Sequence, residues 1–248
     1  MGFDYDAAAP GYDNYRTGSG PYFEQLLTLA AESPAGPVLE FGAGTGNNTR
    51  EFLQAHPRPF VALERSAGML AQGAAKVPGV RWTRGCATHM PFRDSTFAYI
   101  FSTYVLHHIA DIGQLYHECL RVLKPGGCCA CITVPETFIL EHPMNAYFPS
   151  FAEVDLRRFQ PIDEVEDAMR AAGFRRVESV ITVSRPRPID ADFVEKVANQ
   201  YISTYALLPR DEFERGVERL RADVQRLGQL PEPFEREAAV VWGFKPRG

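Results

Sequence analysis

No stretch of this 248-residue chain approaches the roughly 18 consecutive apolar residues of a membrane span. Its opening, Met1-Gly2-Phe3-Asp4-Tyr5-Asp6, lacks the basic start and apolar run of a signal peptide. Positive charge is also scarce: the net charge is −5, and no run of Lys and Arg exceeds a pair. With no basic face for a phosphate backbone, nucleic acid and anionic membrane are excluded as expected partners. Cysteines number five, an odd count, and Cys86, Cys128, Cys129 and Cys131 fall in segments that read as buried strand or strand end. They suit reduced thiols in a cytoplasmic protein. The Cys-x-x-Cys of Cys128 and Cys131 has no second Cys or His pair at zinc spacing, so no metal is expected.

What is present is an alternation of short apolar runs with helical periodicities, the pattern of an α/β domain. At this length the expectation is a single domain over residues 1–248, with one sizeable core. Strands are expected to end near Phe41, then over 59–64, 80–83, 97–102, 128–134, 177–183 and 238–244. Helices are expected over 22–31, from Asp111 to a stop at Lys124-Pro125-Gly126-Gly127, and over 162–172, 191–206 and 210–227. Residues 135–159 form a proline-broken, aromatic insertion, and 185–236 a long charged helical excursion.

The most informative stretch is Val38-Leu39-Glu40-Phe41-Gly42-Ala43-Gly44-Thr45-Gly46, followed by Asn47-Asn48-Thr49. Glycine at alternate positions suits a strand that turns sharply while its backbone approaches a ligand, because a Cβ would block both. Asn47, Asn48 or Thr49 is then expected to cap the helix that follows. A dinucleotide fingerprint needs glycine at position 47, where the chain has Asn47. That departure argues against a nicotinamide cofactor, although an NAD(P)-dependent oxidoreductase stays as the alternative. Glu64 ends the second strand 18 residues past Gly46, where a carboxylate accepts from ribose hydroxyls of any nucleoside cofactor.

The pattern Glu40-x-Gly42-x-Gly44-x-Gly46, together with Arg121-Val122-Leu123-Lys124-Pro125-Gly126-Gly127, resembles the class I S-adenosylmethionine-dependent methyltransferases, in particular the small-molecule group called type 11. The resemblance spans residues 10–183. It implies a Rossmann-like, seven-stranded, mostly parallel sheet with helices on both faces and an antiparallel last strand, here carrying a helical lid insertion. It also implies that Glu40 meets the cationic amino-acid end of S-adenosylmethionine, with Gly42, Ala43, Gly44 and Gly46 forming the loop around it. Glu64 and Arg65 then flank the ribose, while Met69, Cys86 and Ala87 flank the adenine. Ser102 and Thr103 close the floor. Tyr12 and Arg16, in an N-terminal cap segment over residues 1–33, reach the cofactor carboxylate.

Two positions depart from that family's pattern. Cys86 stands where an aspartate often accepts from the adenine amino group, and Ala98 stands where the family usually has Asp after Phe. The acceptor is expected to be a small molecule, apolar or aromatic, under a roof made by 1–33, 135–159 and 185–236. If it needs a base, His107 at the mouth of the fourth strand is best placed, ahead of His108, His89 and Tyr104. Tyr201, Tyr205 and Leu208 are expected on one helical face of the lid. The oligomeric expectation is a monomer or homodimer, and a non-enzymatic S-adenosylmethionine-binding protein is the third reading.

Overall fold

In the computed structural model, residues 3–16 and 20–247 are described. Residues 1, 2, 17–19 and 248 of the expected domain and cap segment lie outside them. The chain begins with α1 (Tyr5–Ala8) and a 3-10 segment (Ala9–Asn14), then α2 (Phe23–Glu32). Five strands and three helices follow: β1 (Val38–Phe41), α3 (Asn47–Ala55), β2 (Phe60–Glu64), α4 (Ala67–Lys76), β3 (Arg81–Arg84), β4 (Phe97–Thr103), α5 (Ile112–Val122) and β5 (Leu123–Thr133). A first insertion carries α6 (Glu136–Glu141) and α7 (Phe151–Leu156). After α8 (Ile162–Ala172) and β6 (Arg175–Val183) comes the excursion with α9 (Ala191–Ala198), α10 (Ser203–Leu207) and α11 (Arg210–Leu227), and β7 (Glu237–Phe244) ends the fold.

The seven strands lie in one sheet in the order β3-β2-β1-β4-β5-β7-β6. β1 to β5 run parallel, and β7 runs antiparallel to both β5 and β6. The chain winds outward from β1 to β3 and then returns to place β4 on the other side of β1. This reversal opens a crevice beyond the carboxyl ends of β1 and β4, where open α/β sheets bind ligands.

Period-two alternation sorts the strands onto two cores. Cys129 and Cys131 pack with Leu115, Cys119 and Val122 of α5 and Met169 of α8, whereas Cys128, Ala130 and Ile132 join Leu26 of α2 and Phe52 of α3. Phe52 is fully buried and stacks on Phe101 at 5.0 Å. Cys119, Cys128, Cys129 and Cys131 are small core residues, whereas Cys86, expected at a buried strand end, is exposed on the loop after β3; none is paired.

The segments differ from expectation in four places. The helix after the glycine turn is preceded by Gly46 in the left-handed region (φ 79°) with no side-chain cap, so Asn47, Asn48 and Thr49 are helical and their side chains serve other contacts. β5 begins at Leu123, because Gly126 takes φ 77° and its N–H bonds Lys245 O, so the Lys-Pro-Gly-Gly run joins the sheet instead of merely stopping α5. β6 is exposed along most of its length, since among the described residues only β7 pairs with it; Val180, Ile181 and Val183 stay open, and Arg175, Arg176 and Glu178 place charge on this edge. The helix expected over 191–206 is two, broken where Gln200 adopts φ 50° after the Asn199 cap. Tyr201 therefore lies between helices, and Tyr201, Tyr205 and Leu208 do not share one helical face.

The two insertions form one cap. Phe148 and Phe151 from 135–159 pack in a third core with Val194, Val197, Tyr205 and Leu220 of the excursion. Paired backbone bonds between Arg187 and Phe234 (2.9 and 2.7 Å) close the excursion at its root.

Candidate cofactor and acceptor site

The glycine turn leaves β1 with Gly42 at φ 65° and Gly44 at φ 56°, conformations that other residues adopt only with strain. A Cβ on Gly42 would lie 2.3 Å from Val105 Cγ2, whereas one on Gly44 would meet nothing within 4 Å. The first glycine is thus demanded by the protein itself. The second leaves a cradle open. Gly42 N and Ala43 N both donate to Leu63 O, at 2.8 and 3.2 Å, fixing the turn against β2.

Two carboxylates face this cradle. Glu40 is 1 % exposed and accepts from the Thr49 hydroxyl. Burial pushes its carboxyl up to about 8, with the Thr49 bond opposing and the nearby Glu64 charge adding to the rise. Glu64 ends β2 and accepts from three backbone N–H groups at 2.8 Å: Gly44 on Oε2, Arg65 and Ser66 on Oε1. A buried carboxyl with only a hydroxyl partner is costly unless a cationic ligand completes it. These residues fit the ammonium and sulfonium of S-adenosylmethionine and repel a pyrophosphate.

Around them, Ser66 caps α4 by accepting from Met69 N at 3.1 Å, and Met69 is buried beneath that first turn. Cys86 is exposed, its Sγ 3.2 Å from Thr88 Oγ1, which pulls the thiol below its ordinary value. Ala87 is buried next to it. Ser102 is buried at the end of β4, and Thr103 Oγ1 accepts from Asn48 Nδ2 at 2.7 Å.

The N-terminal strap uses residues that sequence reasoning passed over. Asp13 Oδ1 accepts from Thr45 Oγ1 (2.6 Å) and Asn47 Nδ2 (2.8 Å), and Asp13 pairs with Lys76. Asp6 accepts from Ser66 Oγ (2.6 Å) and Gly68 N (2.8 Å) at the start of α4. Neither aspartate sits in a local pattern, so only the tertiary fold reveals them. Tyr12 lies under the Arg16 guanidinium at 3.8 Å, and Arg16 Nε donates to Tyr201 O of the cap. The strap thus ties the glycine turn to the cap.

At the mouth of β4, Tyr104 takes φ 55°, a strained conformation of the kind that clusters at functional sites. The following 3-10 turn, Leu106–His108, presents both histidines. The His107 ring packs 3.9 Å from His108 and 4.2 Å from Phe159, and its buried Nδ1 has no partner among the described residues. Burial first, then His108, Arg158 and Arg16, push His107 down to about 2. His108 falls to about 4, through burial and then the neighbouring guanidiniums. Burial pushes the Tyr5 phenol up to about 12, so it donates to His108 Nε2 at 2.6 Å and fixes that ring's tautomer. Both imidazoles are neutral at physiological pH. His89 is exposed on the Cys86 loop, its Nδ1 3.1 Å from Thr88 Oγ1.

Across from the histidines, Arg158 follows α7 with its side chain only 15 % exposed. Nη2 donates to Ser203 Oγ at 2.9 Å and Nη1 reaches Asp155 at 3.3 Å. A cavity of about 180 Å³ lies beside Phe159, lined by Val134, Ile139, Leu156 and Pro161. Among the described residues no group of three or more His, Cys, Asp or Glu is placed to hold a metal.

A family model described as a methyltransferase domain matches residues 39–131, from β1 to β5. The chain is 29 % identical over 169 residues to a ubiquinone/menaquinone biosynthesis C-methyltransferase of Desulfotalea psychrophila, covering 64 % of this chain and 69 % of that protein. It is 30 % identical over 183 residues to a malonyl-[acyl-carrier protein] O-methyltransferase of Methylococcus capsulatus, covering 71 % and 66 %. In three dimensions it is similar to a Haemonchus contortus phosphoethanolamine N-methyltransferase solved with S-adenosylhomocysteine, with a TM-score of 0.59, 18 % identity, and coverage of 97 % of this chain and 57 % of that one. The glycine turn, the acidic strand ends and the parallel strands β1 to β5 belong to the region that the family model matches. The chain belongs to the class I S-adenosylmethionine-dependent methyltransferases.

Proposed function

We propose that the crevice between β1 and β4 holds S-adenosylmethionine in a defined pose and that the cap above it receives a small acceptor, apolar or aromatic in its body. The observation that carries this reading is Glu40, a fully buried carboxyl beside an open glycine cradle. In this pose Glu40 meets the ammonium, while Gly42, Ala43, Gly44 and Gly46 wrap the amino-acid end. Glu64 and Arg65 flank the ribose. Met69, Cys86 and Ala87 border the adenine, with the Ala87 N–H rather than the thiol supplying the polar contact. Ser102 and Thr103 form the floor, and Tyr12 and Arg16 reach the carboxylate.

The cofactor, when bound, supplies an electrophilic methyl on a sulfonium. What remains for the chain is to orient the acceptor and keep water out. The strap over 1–33 and the joint cap of 135–159 and 185–236 fulfil that task in this reading, as lids of a single domain. The aromatic rings of Tyr5, Tyr12, Phe159 and Tyr201 support an apolar or aromatic acceptor. Unpaired cysteines support a cytoplasmic location. Sizing chromatography distinguishes monomer from homodimer.

Two variants probe the assignment. Glu64→Ala is expected to weaken S-adenosylmethionine binding by about 1.5–3 kcal/mol, the scale of hydrogen bonds to a charged acceptor. Calorimetry measures it, and unchanged affinity removes Glu64 from the site. The second variant concerns His107, whose neutral, weakly basic ring in a positive surrounding is better suited to orient the acceptor than to remove a proton. His107→Ala is expected to lower turnover by less than about tenfold with cofactor affinity kept, whereas a fall of about 10²–10⁴ assigns it as a general base. The turnover assay starts from single-turnover transfer of a labelled methyl group to a metabolite extract, which identifies the acceptor.

A further inference from the structure

The charges around the site are divided. The cofactor side carries Glu40 and Glu64, whereas the acceptor side carries the Arg158 guanidinium. Arg16 is held over Tyr12 and against the Tyr201 carbonyl, and Arg158 stands beside Phe159, 5.9 Å from its ring centre. Between them lie His107, His108 and Tyr5, which are neutral. The acid beside Arg158 is Asp155, and it is a weak counter-charge. Its contact to Arg158 is a single one of 3.3 Å, Thr204 Oγ1 occupies both its oxygens at 2.9 and 3.1 Å, and burial pushes it up to about 6. Arg158 has five N–H donors, of which Asp155 and Ser203 engage two.

A mostly buried guanidinium with an imperfect partner is completed by a carboxylate from outside, through short charge-assisted bonds. An amine acceptor would instead meet a like charge. Resting on the methyltransferase reading above, we propose that the acceptor is a small organic acid bound as its anion, with the carboxylate against Arg158 and the apolar body along Phe159 into the adjoining cavity. The neutral histidines fit this: they add no charge that competes with Arg158 for the carboxylate.

The test uses the full-length protein saturated with S-adenosylhomocysteine and titrated with benzoate, benzamide and benzylamine as isosteric probes. Calorimetry of S-adenosylhomocysteine itself comes first, and its failure to bind overturns the methyltransferase reading separately. Benzoate is expected to bind roughly tenfold or more tighter than benzamide, as suits a charge-assisted pair, with benzylamine weakest. In Arg158→Met that preference falls to about threefold or less, while Arg158→Lys retains part of it. If Arg158→Met fails to unfold cooperatively, Arg158→Gln carries the same comparison. Equal binding of benzoate and benzamide, tighter binding of benzylamine, or no binding of any probe to the loaded protein overturns the proposal.

Discussion

Glu40→Gln is expected to weaken S-adenosylmethionine binding by roughly 10- to 150-fold, about 1.5–3 kcal/mol, and at the same time to make the free protein more stable. The two effects have one cause. Glutamine keeps an oxygen that accepts from Thr49 but removes a charge that the free protein has no cation to meet. The native carboxyl titrates near 8 against an ordinary 4.5. Between those values the unfolded chain has lost a proton that the native state retains, so the native state loses stability as pH rises through the window. Glutamine does not titrate, and the gain in unfolding temperature should grow from about pH 5 to pH 8 and then level off. The same linkage predicts that cofactor affinity of the wild-type protein rises with pH up to about 8, because binding a cation beside Glu40 requires the carboxylate. Thermal unfolding and calorimetry at several pH values measure both. A variant that binds normally and is less stable contradicts the assignment of Glu40.

The two turn glycines should separate folding from binding. Gly44→Ala costs the left-handed strain of about 1–2 kcal/mol and little else in stability, because its methyl meets no atom within 4 Å. That methyl enters the space assigned to the cofactor, so affinity is expected to fall by about a hundredfold or more, as befits a steric block in a close-packed contact. Gly42→Ala adds to the same strain a Cβ 2.3 Å from Val105 Cγ2 and should cost about 3 kcal/mol or more. Val105→Ala in the Gly42→Ala background recovers part of that loss and leaves the strain. Chemical denaturation with parallel binding titrations decides the pattern; normal cofactor affinity in Gly44→Ala contradicts the pose.

Much of this fold is legible in the sequence because its signals are local. Val38 to Gly46 announces a buried strand and a turn, Ser66 and Asp111 accept from the backbone three residues on, and Gly173 closes α8 in the left-handed region (φ 108°). The illegible parts are those that tertiary structure decides. Asp13 gains meaning only when the strap lies across Thr45, Asn47 and Lys76, from 32 to 63 residues away in sequence. Arg158 reads as half of a surface Arg-Arg pair until α7 and α10 bring Asp155, Ser203 and Thr204 around it. The break at Gln200 has no glycine or proline to announce it, and so 191–206 reads as one helix. The shared core of the two insertions joins Phe148 to Leu220 across a separation that no periodicity spans.

The central claim is that the crevice at Glu40 and Gly44 binds S-adenosylmethionine, and isothermal titration of the wild-type protein with S-adenosylmethionine and with NADP, in two buffers of different ionisation enthalpy near pH 7, tests it most directly. The account predicts saturable binding of S-adenosylmethionine with proton release from Glu40, seen as a buffer-dependent heat, and no comparable binding of NADP. Saturable NADP binding with no heat from S-adenosylmethionine would contradict it.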